Sequence, residues 1–164
     1  MNTLILLLSV IILDTTHFLS NEAESVSNEI EWLSITEAQE KSKSDGRPLF
    51  IFVEAEWCGI CKRMINSVFP EPSVTELLTD NFHPVLIDLD SRETILFNGE
   101  VMTERDFARI MQVQQTPTTI FIDENGDVLG SQPGFMDVDE LEKLLHYLLS
   151  DQFGDVPLSE FRID

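Results

Sequence analysis

Two cysteines stand two residues apart in Trp57-Cys58-Gly59-Ile60-Cys61, and the chain has no others. Just ahead of them lies an apolar run of strand length, and just after them a stretch with helical character. Cys58 therefore falls at a helix N-terminus, where unpaired backbone N–H groups and the helix dipole stabilise a thiolate. That makes Cys58 a nucleophile. Cys61, one turn deeper, can attack the mixed disulfide that Cys58 forms with a partner, releasing the partner reduced and closing an intramolecular bridge. Gly59 permits close backbone approach, and Trp57 offers a flat apolar contact beside the reactive sulfur. Two other uses of the pair fit less well. A structural zinc site needs four ligands, and beyond the cysteines the chain offers only His17, His83 and His146. A purely structural bridge across two residues closes too small a loop to constrain the unfolded chain much.

Several elements must hold this pair. Pro48-Leu-Phe-Ile-Phe-Val-Glu-Ala55 is continuously apolar up to Glu54, the pattern of a strand covered on both faces in the middle of a sheet. Ser34-Ile-Thr-Glu37 has the form of a capping box and predicts a helix over 35–44. The helix after Cys58 should stop at Pro70 and Pro72, and Ser73-Val-Thr-Glu76 repeats the capping box ahead of a short helix ending near Asn81. A second buried strand is predicted over 84–90 and a helix over 104–111. Between them, Ser91 to Thr103 is either a simple hairpin turning at Asn98-Gly99 or a partner-contacting insertion. Thr118 to Ser131 reads as a β-hairpin turning at Asp123-Glu-Asn-Gly126. Asp137-x-x-Glu140 caps an amphipathic helix carrying Leu141, Leu144, Leu145 and Leu148. The alternation argues for an α/β sheet with helices on both faces. The tail 151–164 carries Phe153, Leu158 and Phe161, and either packs on the domain or frays.

Composition removes other classes. Thirty acidic against ten basic residues give a net charge of −20 over 164 residues, which abolishes the counterion-release attraction that dominates nucleic-acid binding. An apolar share of 43% with eleven Phe is too high for an acidic disordered chain. Residues 3–13, TLILLLSVIIL, are too short for a bilayer span of about 20 apolar residues but suit the apolar core of a signal peptide. Export with cleavage near Ala23–Ser25 is the favoured reading, against a buried N-terminal element or an uncleaved anchor. The predicted organisation is a signal peptide at 1–23, a linker at 24–33, a domain at 34–150 and a tail at 151–164. Residues 1–23 hold Asp14 and Glu22 and no basic residue, so the remainder keeps 28 acidic and 10 basic side chains, a charge of −18. That field predicts weak affinity for acidic proteins and a salt-sensitive encounter with a basic partner face.

Ala55-Glu-Trp-Cys-Gly-Ile-Cys-Lys62, Gln115-Thr-Pro-Thr118 and Gly134 together resemble the thioredoxin superfamily, over about residues 30 to 150. The hairpin Phe121 to Leu129 and Pro133-Gly-Phe135 are similar to exported thioredoxin-like proteins of the SoxW and DsbD C-terminal-domain type. The resemblance implies a thioredoxin fold, a central mixed sheet with helices on both faces and the Cys pair at a helix N-terminus. It further implies a cis peptide before Pro117, a turn that X–Pro chemistry permits, with Thr116 lining a substrate groove. Ordinary trans Pro117 at the start of an edge strand is the alternative. Trp57, Gly59 and Ile60 would share that groove.

The chain departs from the family pattern at two places. The buried Asp that thioredoxins usually carry six residues before the first Cys is Phe52, and its frequent Lys partner on the neighbouring strand is Leu86. Losing both avoids an unpaired buried ion. Glu54 is a candidate substitute proton acceptor, or else points to solvent at the strand end. Ile60 replaces the His that strong oxidases of the superfamily tend to carry before the second Cys, which favours a reductase. Lys62 and Arg63 either add positive charge near the thiols or form a solvated helix face.

The leading expectation is an exported thiol-disulfide oxidoreductase that reduces protein disulfides or mixed disulfides through a Cys58–Cys61 dithiol/disulfide cycle. It would need no bound cofactor, since no flavin, nicotinamide or phosphate-loop motif occurs, and would take electrons from a membrane thiol-reductant donor, a partner the resemblance suggests. A thiol oxidase or isomerase, a non-catalytic peptide-binding module using the same groove, and a Cu(I) chaperone are the alternatives.

Overall fold

The strand Leu49–Glu54 (β1) organises the molecule because it is paired on both edges and covered on both faces. In the computed structural model, which describes residues 29–163, the elements are α1 (Ile35–Asp45), β1, α2 (Gly59–Ser67), α3 (Pro72–Asn81), β2 (His83–Asp88), β3 (Thr94–Phe97), β4 (Glu100–Thr103), α4 (Glu104–Ile110), β5 (Thr118–Ile122), β6 (Val128–Pro133) and α5 (Val138–Leu149). The predicted signal peptide and half of the linker, residues 24–28, lie outside the described residues.

A four-stranded mixed sheet runs in the order β2-β1-β5-β6, with β2 parallel to β1 and β5 antiparallel to it. Period-two alternation along β1 divides the core in two. Leu49, Ile51 and Val53 pack with Ile35, Ala38, Phe107 and Ala108 from α1 and α4. Phe50 and Phe52 point the other way, into a cluster with Met64, Val74, Leu78, Leu141 and Leu145 from α2, α3 and α5. Helices thus cover both faces, as the thioredoxin fold requires. Phe69 is the hub of the second layer, edge-on to Phe52 at 4.8 Å and to Trp32 at 5.6 Å, the offset geometry that aromatic quadrupoles prefer.

Local chemistry explains most element ends. Ser34 Oγ accepts from the Glu37 N–H at 3.2 Å, and Gly46 ends α1 in the left-handed conformation at φ 78°. Asp137 and Glu140 form a reciprocal capping box on α5. One expected cap is wrong. Ser73 does not start α3: the N-cap is Glu71, and Pro72 occupies the first turn, where its fixed φ suits the helix and its missing N–H is not needed. Pro72 therefore opens a helix as well as following one. The stretch 91–103 forms the hairpin β3–β4, with Asn98 and Gly99 both at positive φ. The tail packs on α5: Tyr147 Oη donates to the Val156 carbonyl at 2.7 Å, and its ring meets Phe153 and Phe161 at 5.3 and 5.4 Å.

At the opposite end of the sheet from the cysteines, His83 is buried and places Nε2 3.0 Å from Asp45 Oδ1. Partial burial pushes the Asp45 carboxyl up, but hydrogen bonds from His83 and from the Arg47 backbone and guanidinium outweigh it and hold it well below the usual carboxylate range. The stabilisation from a depressed carboxylate is complete above its ordinary pKa of about 3.9 and disappears below it. Asp45→Asn should therefore cost about 1 kcal/mol at pH 7 in urea denaturation, since the carboxylate is partly screened by water, and the gap from wild type should close as pH falls below about 4. A gap that stays constant with pH would contradict the assignment.

Candidate active site

Strand directions gather the sequence-predicted residues at one end of the sheet. Along β1 the chain leaves at Glu54, and its parallel partner β2 ends opposite at Asp88. Antiparallel β5 begins at Thr118 opposite Val53, so Thr116 and Pro117 lie at that same end, and β6 finishes there with Pro133 opposite Thr118. The Gly134 N–H donates to the Pro117 carbonyl at 2.8 Å, joining the two loops. The Thr116–Pro117 peptide bond is cis.

Cys58 and Cys61 form a disulfide at the start of α2. Cys58 is the N-cap, and its Sγ accepts from the Cys61 N–H at 3.1 Å. A sulfur thus takes the place that an Asp, Ser or Asn oxygen takes at other helix starts. Cys58 is 5% exposed and Cys61 fully buried, so of the two residues only the first meets solvent. Around them Trp57 is 69% exposed and Ile60 55% exposed, a surface-facing apolar pair beside the sulfurs. A Cβ on Gly59 would meet nothing within 4 Å, which leaves space over its backbone. Thr116 Oγ1 is buried without a hydrogen-bond partner among the described residues.

Neither family charge survives beneath the disulfide. Phe52 is fully buried in the same apolar cluster as both cysteines, and Leu86 packs against that cluster. Glu54 shares the Phe50–Phe52 side of β1 and is half-buried at the strand end. Burial raises its pKa first, then the neighbouring charge of Asp88; Lys62 of α2 pulls the other way and Glu56 adds to the rise. The carboxyl is therefore neither a freely solvated surface group nor a core residue.

Three features of the site join residues distant in the chain. The Trp57 indole N–H donates to Asp90 Oδ2 at 2.7 Å. Asp90 lies just past the end of β2, and an Asp-x-Asp run at the carboxyl end of a buried parallel strand was the available hint. The Arg63 guanidinium sits 4.7 Å above the centre of the Phe135 ring, a cation–π contact linking α2 to the β6–α5 loop; it is more than a solvated helix face. Glu104 is half-buried, with its pKa raised by burial, lowered by hydrogen bonds from Ser91 and the Asp88 backbone, and raised by Glu93 and Asp88.

A mixed sheet of this order with helices on both faces, carrying a Cys-x-x-Cys disulfide at the N-terminus of the helix after β1, is a thioredoxin fold. Residues 35–149 match the family model described as thioredoxin-like domain, and the chain belongs to that family. It is 27% identical over 135 residues to the thiol:disulfide interchange protein DsbD of Actinobacillus pleuropneumoniae, a match covering 79% of this chain and 22% of that protein. The chain thus spans about a fifth of that relative's length. Among solved structures, a putative disulphide-isomerase from Bacteroides thetaiotaomicron superposes with a TM-score of 0.59 at 26% identity, covering 75% of this chain and 95% of that one. A thioredoxin from Thermus thermophilus superposes at 0.62 with 24% identity over 77% and 91%, a likeness of fold.

The raised Glu54 pKa has a signed consequence. A carboxyl raised in the folded state destabilises it once ionised, so stability is lost as pH rises from about 4.5 upward. Glu54→Gln in the oxidised protein should melt about 1–2 °C higher than wild type at pH 7 and equal to it at pH 4. Equal melting at both values would place Glu54 in free solvent.

Proposed function

We propose that the protein is an exported reductase of protein disulfides and mixed disulfides, cycling Cys58 and Cys61 between dithiol and disulfide. The observation that carries this reading is Cys58 as the N-cap of α2, with the Cys61 N–H aimed at its sulfur. Reduced Cys58, held as thiolate by that N–H and the helix dipole, attacks one sulfur of the substrate disulfide, and the other leaves as a thiolate. Cys61 then loses its proton, attacks Cys58 Sγ and expels the second substrate thiolate. Glu54 takes the proton from Cys61, because Phe52 and Leu86 leave no charged group beneath the pair. Its partial burial supports that role by bringing its pKa closer to working pH.

Trp57, Gly59, Ile60, Thr116 and Pro117 line the groove in which the substrate lies. Export is supported by the apolar run 3–13, with residues 1–23 as signal peptide, 24–33 as linker, 34–150 as the domain and 151–164 as its tail. The similarity to DsbD, named a thiol:disulfide interchange protein, fits a periplasmic or secreted location and a membrane thiol-reductant donor. Among the described residues no helix is long and apolar enough to cross a membrane. Isomerisation is the second reading, favoured by the likeness to the Bacteroides thetaiotaomicron protein. It uses the same Cys58 attack without release of a reduced product.

The test is reduction of insulin driven by dithiothreitol. Cys58→Ser should fall to the rate of dithiothreitol alone. Without dithiothreitol, pre-reduced Cys61→Ser mixed with insulin should accumulate a mixed disulfide on a non-reducing gel, and Glu54→Gln, which keeps Cys61, should lengthen the lifetime of that species about a hundredfold. Persistent turnover in Cys61→Ser with nothing trapped would reject the assigned roles, and rearrangement of scrambled disulfides without net reduction would select the isomerase.

A further inference from the structure

The 91–103 insertion has a use beyond linking two elements. Its hairpin is pinned at the tip: Gln39 Nε2 donates to Asn98 Oδ1 at 2.7 Å, the Asn98 N–H donates to Gln39 Oε1 at 3.1 Å, and Asn98 Nδ2 reaches the Gly126 carbonyl at 3.2 Å. Thr36 Oγ1 donates to the Leu96 carbonyl at 3.1 Å, and Phe97 stacks edge-on with Phe107 of α4 at 5.1 Å. So anchored, the hairpin delivers the chain into α4 at a fixed place, and the first two residues of α4 grip the loop that follows β2. Glu104 Oε2 accepts from the Asp88 N–H at 3.2 Å, and the Glu104 N–H donates to the Glu93 carbonyl at 3.1 Å. The Arg105 N–H donates to the Ser91 carbonyl at 3.2 Å, and its Nη2 to the Asp90 carbonyl at 3.1 Å. Between those grips sits Asp90, whose carboxylate accepts the Trp57 indole N–H.

We propose that Glu104 and Arg105 are positioning residues for Trp57: by clamping Asp88 to Ser91 they fix Asp90, and Asp90 fixes the indole beside Cys58. Trp57 keeps 69% of its surface in water, so packing cannot select its rotamer, and a charge-assisted hydrogen bond is the strongest restraint available to it. That bond orients the ring only if the carboxylate itself is held. Asp90 is on an irregular loop with over half of its side chain exposed. Its ion pair with Arg105, at 3.7 Å and open to solvent, contributes little by itself. The holding is done by the hydrogen bonds to the loop backbone, to which the Arg105 side chain contributes the one from Nη2 to the Asp90 carbonyl, beside the bond that the Asp90 N–H donates to Asp88 Oδ1 at 2.9 Å. The functional part of this inference rests on Trp57 being a wall of the substrate groove.

The test uses the full chain in a Trp32→Phe background, which leaves Trp57 as the single tryptophan. Steady-state anisotropy of oxidised protein reports the indole, and insulin reduction with dithiothreitol gives kcat and KM. Arg105→Gln and Asp90→Asn should each lower the anisotropy and raise KM about three- to tenfold with kcat within about twofold. The double variant should be no worse than Asp90→Asn alone, because both act through one contact. Arg105→Lys, which keeps a donor for the Asp90 carbonyl, should retain more of both readouts than Arg105→Gln. Arg109→Gln, whose ion pair is with Asp106 one turn away on the same helix, should leave both readouts at wild type. Unchanged anisotropy in Arg105→Gln, or a loss that adds in full to that of Asp90→Asn, would overturn the proposal. Lowered anisotropy with KM unmoved in both Arg105→Gln and Trp57→Ala would instead reject the groove reading and leave the positioning intact.

Discussion

A helix start capped by sulfur is the constraint from which the other features follow. Cys58 can receive the Cys61 N–H only if β1 delivers the chain to α2 with one turn of loop between, at the end of the sheet where β5 and β6 bring Pro117 and Gly134. Fixing that delivery takes a strand that cannot shift: β1 is paired on both edges and buried on both faces, with five of its six residues inaccessible to water. A one-residue slip would exchange the two core layers and move Phe52 from beneath the cysteines to the α1 side. The core is built for register, and register places the sulfur.

Removing charge from beneath the disulfide has a cost in proton chemistry. A carboxylate under Cys61 would demand a cationic partner or a large desolvation penalty; Phe52 and Leu86 avoid both and allow the aromatic contact with Phe69. A half-buried carboxyl, Glu54, lies at the rim of this layer, opposite Asp88 and influenced by Lys62. Burial there is partial, which raises the carboxyl's pKa while leaving it in reach of solvent. The uncharged core position and the proposed proton acceptor are two residues apart along one strand.

What could be read from the sequence is what local chemistry encodes. The Cys-x-x-Cys pair between a buried strand and a helix, the Asn98-Gly99 turn with both residues at positive φ, and the Asp137–Glu140 capping box each depend on neighbours a few residues away. Ser73 misleads because Pro72 reads as a terminator, while proline is equally at home in the first turn of a helix. The contacts that finish the site were not legible. Trp57 to Asp90 spans 33 residues, Arg63 to Phe135 joins two elements with no shared periodicity, and the grip of Glu104 and Arg105 exists only because a hairpin folds back on α1. Such pairs follow from topology, and only after the sheet order is known do their positions converge.

The proposed reductase depends on a Cys58–Cys61 pair poised to reduce, with a thiolate stabilised by the helix start and no His before the second Cys to deepen it. The reduction potential of the pair in the folded chain, measured against a glutathione or dithiothreitol buffer, tests this directly. A value near that of thioredoxin, about −270 mV, is predicted. A value above about −180 mV, in the range of disulfide isomerases and oxidases, would contradict it.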